Sequence, residues 1–215
     1  MTNFEQFQKS VATRSNWGFN LQRMAVFKLP NPIFTWLKKA CVQARKQKSK
    51  ANSDLVGHIK EEYNFKKISG KFIKFLLQCA GDKSLSSYLT TLSYLSENRP
   101  LYLHNMWVNY MKKHEFNPPH NHAGVLSFVI FVKIPYDLKA EEKWFTPKTP
   151  HNFTSKFTLH NINPDGSIRT ECVDVDRSFE GGMLMFPSAQ IHEVFPFYTS
   201  EDYRITVSGN VKIKI

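Results

Sequence analysis

The sequence predicts an α+β protein: a double-stranded β-helix, or jelly roll, with an N-terminal helical region packed on it. Three observations carry this. Apolar residues up to about position 100 recur at helical spacing. Beyond it, short runs rich in strand formers take over. Turn signals separate those runs, with no helical pattern between them. At 215 residues the chain is expected to form a single domain overall, with 1-100 as the helical region and 101-215 as the core.

The first helix is read from Asn31-Pro32, with Pro32 at the first helical position. Ile33, Trp36, Leu37, Ala40, Cys41 and Ala44 follow on one face, and Arg45 to Lys50 form a solvated end. Phe72, Ile73, Leu76 and Leu77 mark a second helix, closed near Gly81. Ser84 opens a third, with Leu85, Tyr88, Leu89, Leu92 and Leu95 as its apolar face, and Pro100 ends it.

Strands are then expected over Leu101 to Met111 and over Val125 to Ile134, the latter bounded by Gly124 and Pro135. SKFTLHNI and SIRTECVDV flank Asn163-Pro164-Asp165-Gly166 and read as a hairpin. GGMLMFPS, IHEVFPF and YRITVSGNVKIKI complete the set. The stretch from about Pro135 to Phe153 reads as an insertion that shapes substrate access or as a surface excursion packed down by Trp144 and Phe145.

Composition narrows the function only slightly. Hydrophobic residues are 41% and charged residues 22%, an ordinary globular balance. A net charge of +11 attracts nucleic acid, acidic membranes, acidic proteins and anionic small molecules alike. No nucleic-acid-binding motif accompanies it. Cys41, Cys79 and Cys172 are too scattered for a disulfide framework or a thiolate zinc site, so a reducing cytoplasm is expected. The opening MTNFEQFQKS has no signal-peptide core, and no window is apolar enough for a membrane span. The Lys-, Asn- and Phe-rich composition fits an AT-rich bacterial or phage genome, and host cytoplasm if phage-encoded.

The chemistry-bearing residues are fewer. His120 and His122 stand two apart in NPPHNHAG. On an extended backbone such residues face one side, so two imidazoles reach one metal ion. His192, in FPSAQIHEVFP, is the candidate third ligand. Imidazoles suit iron, zinc, copper and nickel alike. His58, His104, His114, His151 and His160 have no partner at ligand spacing and read as surface or structural residues.

Twelve residues after His192 comes Arg204, with Thr206 on the same strand face. A guanidinium fork and a neighbouring hydroxyl suit the far carboxylate of a dicarboxylic acid whose other end chelates the metal. The competing reading pairs Arg204 with Glu201 or Asp202 on the surface.

HxH, a distant histidine and RxT in this order resemble the 2-oxoglutarate/iron(II) dioxygenase superfamily. The likeness is carried by Trp107 to Pro135, Gly181 to Pro196 and Tyr203 to Asn210, about half of the chain. Within the superfamily, it looks like the small bacterial and phage branch related to prolyl 4-hydroxylases.

The resemblance implies Fe(II), 2-oxoglutarate and O2, with substrate hydroxylation coupled to oxidative decarboxylation of 2-oxoglutarate to succinate. It gives His120, His122 and His192 as metal ligands, with no catalytic residue beyond them. Arg204 and Thr206 become the cosubstrate anchor, and Asn109 and Ser127 further cosubstrate or substrate contacts. The substrate implied is a protein or peptide side chain, proline first; nucleic acid is compatible with the charge.

Two departures stand out. His122 occupies the place of the usual carboxylate, for which Glu193, Asp174 and Glu115 are the alternatives. Glu193 follows His192 on a strand and is expected to point away. Phe131 falls where relatives often carry a tyrosine that touches 2-oxoglutarate.

Two other classes compete. A cupin-type metal enzyme or binder shares the fold, but it leaves Arg204 and Thr206 unexplained and lacks the glutamate expected soon after HxH. A non-catalytic structural or binding protein treats the histidines as incidental.

Overall fold

The computed structural model describes residues 1–13, 24–85, 88–90, 99–144, 152–163 and 165–214. Its elements are α1 (Asn3–Thr13), β1 (Ala25–Lys28), α2 (Asn31–Gln47), β2 (Glu62–Asn64), α3 (Gly70–Ala80), β3 (Leu101–Met111), β4 (Asn117–His120), β5 (Leu126–Lys133), α4 (Leu138–Trp144), β6 (Phe157–Ile162), β7 (Ile168–Val173), β8 (Gly182–Pro187), β9 (Ile191–Val194) and β10 (Arg204–Ile213). A six-stranded sheet runs β1-β8-β5-β10-β3-β2, and a four-stranded sheet runs β4-β9-β6-β7. The named pairs are antiparallel, as a jelly roll requires.

β5 shows why one strand reads as an unbroken apolar run. Phe128, Ile130 and Val132 join the core shared with Leu37, Cys41, Phe72 and Leu76 of α2 and α3. Val129 and Phe131 belong instead to the core that includes Phe157, Leu159 and Val173 of the smaller sheet. Both faces of the strand are covered, so alternation disappears.

The expected helices over 31–47 and 70–80 form. α2 starts at Asn31, one residue before Pro32, with Pro30 in the cap position. Pro32 still lies in the first turn, where its missing N–H is not needed. The third expected helix falls largely outside the described residues, as do Leu92, Leu95, Phe145, His151 and Pro164. The hairpin forms as expected: β6 pairs β7, and Gly166, at φ +83°, closes the turn by donating its N–H to the Asn163 carbonyl at 2.9 Å.

Two features depart from the sequence pattern. The N-terminal region contributes strands as well as helices: β1 and β2 form the two edges of the large sheet. At three or four residues each, they are too short to register as a period. The insertion after Pro135 includes α4, and Trp144 is 61% exposed, so it does not pack this segment down. Glu141 does so: its buried carboxylate accepts the Tyr198 and Thr199 backbone N–H groups at 2.7 to 3.1 Å.

Arg45 ties α2 to the sheet. Its guanidinium forks onto Glu61 at 2.8 and 2.9 Å, donates to the Tyr203 hydroxyl at 2.8 Å, and lies over the Tyr110 and Tyr203 rings. Arg45→Ala is expected to lower unfolding free energy by about 1–3 kcal/mol, read by urea denaturation, through lost charge-assisted bonds and ring packing.

Glu62, on β2, is 1% exposed and accepts one hydrogen bond, from Asn52 Nδ2 at 3.0 Å. Burial, and then the nearby Glu115 carboxylate, push its pKa up to about 7. An acid with a raised folded-state pKa binds more protons folded than unfolded. Its contribution to stability is therefore full below about 4.5 and falls as pH rises towards about 7. Glu62→Gln is expected to gain stability relative to wild type at pH 8 compared with pH 5, in urea melts at both values.

Candidate metal centre

β4 and β9 build the centre. β4 carries Pro118 and Pro119, which have no N–H to donate, and it forms an edge of the smaller sheet. Its register with β9 shifts between Asn117 and His120, and His120 lies opposite His192. His122 lies beyond the strand end, so the two-residue spacing works through a loop and not through strand parity. The His122 N–H donates to the Ser188 carbonyl at 2.8 Å, which turns the loop back over the site.

The three histidines converge. Their potential ligand atoms lie within 4.8 Å of one another, with ring centroids 4.3 to 5.1 Å apart. His120 Nδ1 stands 2.7 Å from the Pro118 carbonyl, and His192 Nδ1 stands 2.9 Å from the Gln190 carbonyl. A carbonyl only accepts, so Nδ1 carries the proton in each ring and Nε2 keeps its lone pair. Backbone-anchored imidazoles with a free Nε2 are the form in which histidine binds metal.

Burial also keeps these rings neutral. Desolvation lowers the His120 pKa. Desolvation and then the His120 ring take His122 down to about 4 and His192 to about 3. The donor set therefore fits a divalent ion without any proton having to leave first.

The alternative carboxylates are engaged elsewhere. Glu193 accepts from Thr158 and pairs with His160, both at 3.0 Å. Asp174 pairs with Lys156 at 2.8 Å. Glu115 accepts the Lys60 and Lys112 backbone N–H groups.

The same cavity extends to Arg204, Thr206, Asn109 and Ser127. Arg204 is 1% exposed. Its Nη1 donates to the Ser155 carbonyl at 3.0 Å, while Nε is buried without a partner. Glu201 and Asp202 bond instead to Lys113 and Lys133. No carboxylate among the described residues neutralises Arg204. A buried cation is costly without a counter-charge, so this end of the cavity suits an anion.

Thr206 lies between Asn109 on β3 and Phe131 on β5 in register, and Asn109 Nδ2 donates to its hydroxyl at 3.1 Å. Asn109 Oδ1 is buried and unpaired. Phe131 is fully buried, its ring 5.9 Å from the Arg204 guanidinium carbon, and offers no hydroxyl there.

A carboxylate-sized anchor and a three-imidazole cluster in one jelly-roll cavity agree with a comparison of the sequence against protein families. Residues 105–210 match the family described as "Putative 2OG-Fe(II) oxygenase". The chain belongs to the 2-oxoglutarate/iron(II) oxygenase superfamily.

Among solved structures, a 2OG-Fe(II) oxygenase family oxidoreductase from Burkholderia pseudomallei matches at 11% identity and TM-score 0.52, covering 95% of this chain and 89% of that one. That likeness shows the shared fold. A prolyl-4-hydroxylase from Pseudomonas putida matches at 14% identity and TM-score 0.47, covering 95% of this chain and 97% of that one. No curated protein sequence matches the chain.

Several cavity residues of this superfamily member escape a reading by motif. Ser208 follows Arg204 and Thr206 on the same strand face, and Trp107 precedes Asn109. The i, i+2 rule, extended by one step, finds both. Ile59 comes from the helical half and Phe157 from the smaller sheet, and no local pattern points to either. Asn117 lines the cavity with its Oδ1 tucked against Gly57, where a Cβ would stand 2.1 Å away.

Proposed function

We propose that this chain is a 2-oxoglutarate- and Fe(II)-dependent dioxygenase that hydroxylates a protein or peptide side chain, proline first. The observation that carries the cosubstrate is Arg204, a buried guanidinium without a counter-carboxylate among the described residues, in the same cavity as the histidines. His120, His122 and His192 hold the iron. Arg204 and Thr206 bind the distal carboxylate of 2-oxoglutarate, and Asn109 orients the Thr206 hydroxyl. Ser127 lines the wall.

Bound iron and 2-oxoglutarate supply O2 activation coupled to oxidative decarboxylation to succinate. The chain's own residues position and shield. Trp107, Phe157 and Phe186 surround the histidines with apolar surface that limits water. Three neutral imidazoles would bring no negative charge to a bound metal ion, so the offsetting charge would have to come from the cosubstrate dianion and not from a carboxylate side chain.

The choice of a peptide substrate, proline first, rests on the likeness of Trp107 to Pro135 to the prolyl-hydroxylase branch. A reducing cytoplasm suits the free cysteines, two of which are buried. Among the described residues, no helix is long and apolar enough to cross a membrane.

Anaerobic titration with iron(II), with and without 2-oxoglutarate, tests the reading. A visible metal-to-ligand charge-transfer band is expected only with both present, and succinate is expected on admitting oxygen. Absence of both signals in the wild-type protein sinks the proposal.

A further inference from the structure

Two of the three histidines are anchored at the ring, and the third is not. His120 and His192 each donate from Nδ1 to a backbone carbonyl. Among the described residues the His122 ring makes no hydrogen bond; it packs against Trp107, with centroids 5.8 Å apart. It also lies beyond the end of β4, outside the strand ladder. Its backbone is fixed by the bond from its N–H to the Ser188 carbonyl.

Ser188 is itself the end of a polar chain crossing the large sheet. Its hydroxyl is 2.9 Å from that of Ser127, which is 2.7 Å from Asn210 Oδ1. Asn210 Nδ2 donates to Asn105 Oδ1 at 2.9 Å. Ser127, Asn210 and Ser188 are buried, and Asn105 is exposed. Each hydroxyl has one proton, so the chain has one sense. Ser188 gives to Ser127, Ser127 gives to the Asn210 oxygen, and Asn210 gives to Asn105. The backbone of Ser188 is clamped as well: its N–H donates to the Val125 carbonyl at 3.1 Å while its own carbonyl takes the His122 N–H.

We infer that Ser127, Asn210 and Ser188 are positioning residues for His122, fixing by hydrogen bonds through the Ser188 carbonyl what a ring anchor fixes in the other two histidines. This rests on the reading of His122 as a metal ligand. It gives Ser127 a role distinct from cosubstrate contact, because its one proton is committed to Asn210. A chain that merely satisfied buried polar groups would affect global stability alone. A positioning chain affects the His122 loop and metal affinity specifically.

The test uses the full chain with Ser127→Ala, Ser188→Ala as a second variant, and Ser127→Thr to restore a hydroxyl. Hydrogen exchange at the His122 amide is followed in the metal-free protein, and cobalt(II) affinity is measured by its visible absorption. Ser127→Ala is expected to speed His122 exchange by about tenfold and weaken cobalt(II) by about tenfold, with exchange across β9 unchanged. Ser127→Thr is expected to recover both, and Arg45→Ala to change neither despite its lower stability.

If Ser188→Ala or a folded Ser127→Ala leaves exchange and affinity at wild-type values while His122→Ala loses cobalt(II), the positioning role is overturned and the three-histidine reading stands. If His122→Ala keeps full cobalt(II) affinity, the ligand reading falls and this inference falls with it.

Discussion

Arg204→Met is expected to raise the dissociation constant for 2-oxoglutarate by about two to three orders of magnitude, the usual cost of deleting one side of a buried charged pair. The effect is large because Arg204 is buried and no carboxylate among the described residues shares it. In the ligand-free protein that isolation works the other way. The guanidinium keeps one bond to the Ser155 carbonyl and leaves Nε unpaired, so the protein carries a desolvation cost that a bound carboxylate would relieve. Methionine fills similar volume without charge. Arg204→Met is therefore expected to denature in urea no earlier than wild type, while losing the stabilisation that 2-oxoglutarate gives the wild-type protein. Calorimetric titration together with denaturation separates the two effects. Unchanged 2-oxoglutarate affinity in Arg204→Met removes Arg204 from the cosubstrate site.

The second large effect concerns the histidines. His120→Ala or His192→Ala is expected to weaken iron(II) or cobalt(II) binding by about a thousandfold, roughly one ligand's share of a structural metal's binding energy. Neither variant is expected to unfold the protein, since His120 is half-buried on an edge strand and both rings are already neutral. Equilibrium dialysis under anaerobic conditions measures the loss. His122 has a sharper outcome, because it stands where the resemblance implies a carboxylate. His122→Asp is expected to keep metal and cosubstrate binding, whereas His122→Ala loses both. Full metal binding in His122→Ala would falsify the three-histidine ligand set.

Legibility in the sequence followed the range of the interactions. The fold class was readable because jelly-roll strands carry their own signals: the apolar run of β5, the turn at Gly166, and the strand formers of β3 and β10. The short edges β1 and β2 were not readable, because pairing partners far along the chain, and not their own few residues, make them strands. The histidines were legible as a motif. Their convergence was expected from it, but the way it is reached was not, since it depends on the register that sets His120 opposite His192 and on the bond from His122 to Ser188.

Arg204 divides the two kinds of information most cleanly. Its spacing from Thr206 is local, follows from strand geometry, and by itself suggested an anion site. Whether it pairs with Glu201 or Asp202 on the surface or stands buried and alone is a long-range matter. The tertiary structure decides it by giving those two acids to Lys113 and Lys133 and enclosing the guanidinium beside Ser155 and Phe131. The sequence by itself determined the fold class, the order of the motifs and the residue types of the site. Only the tertiary structure decided which side chains lose water together, and desolvation is what suits neutral imidazoles to a metal and a buried cation to an anion.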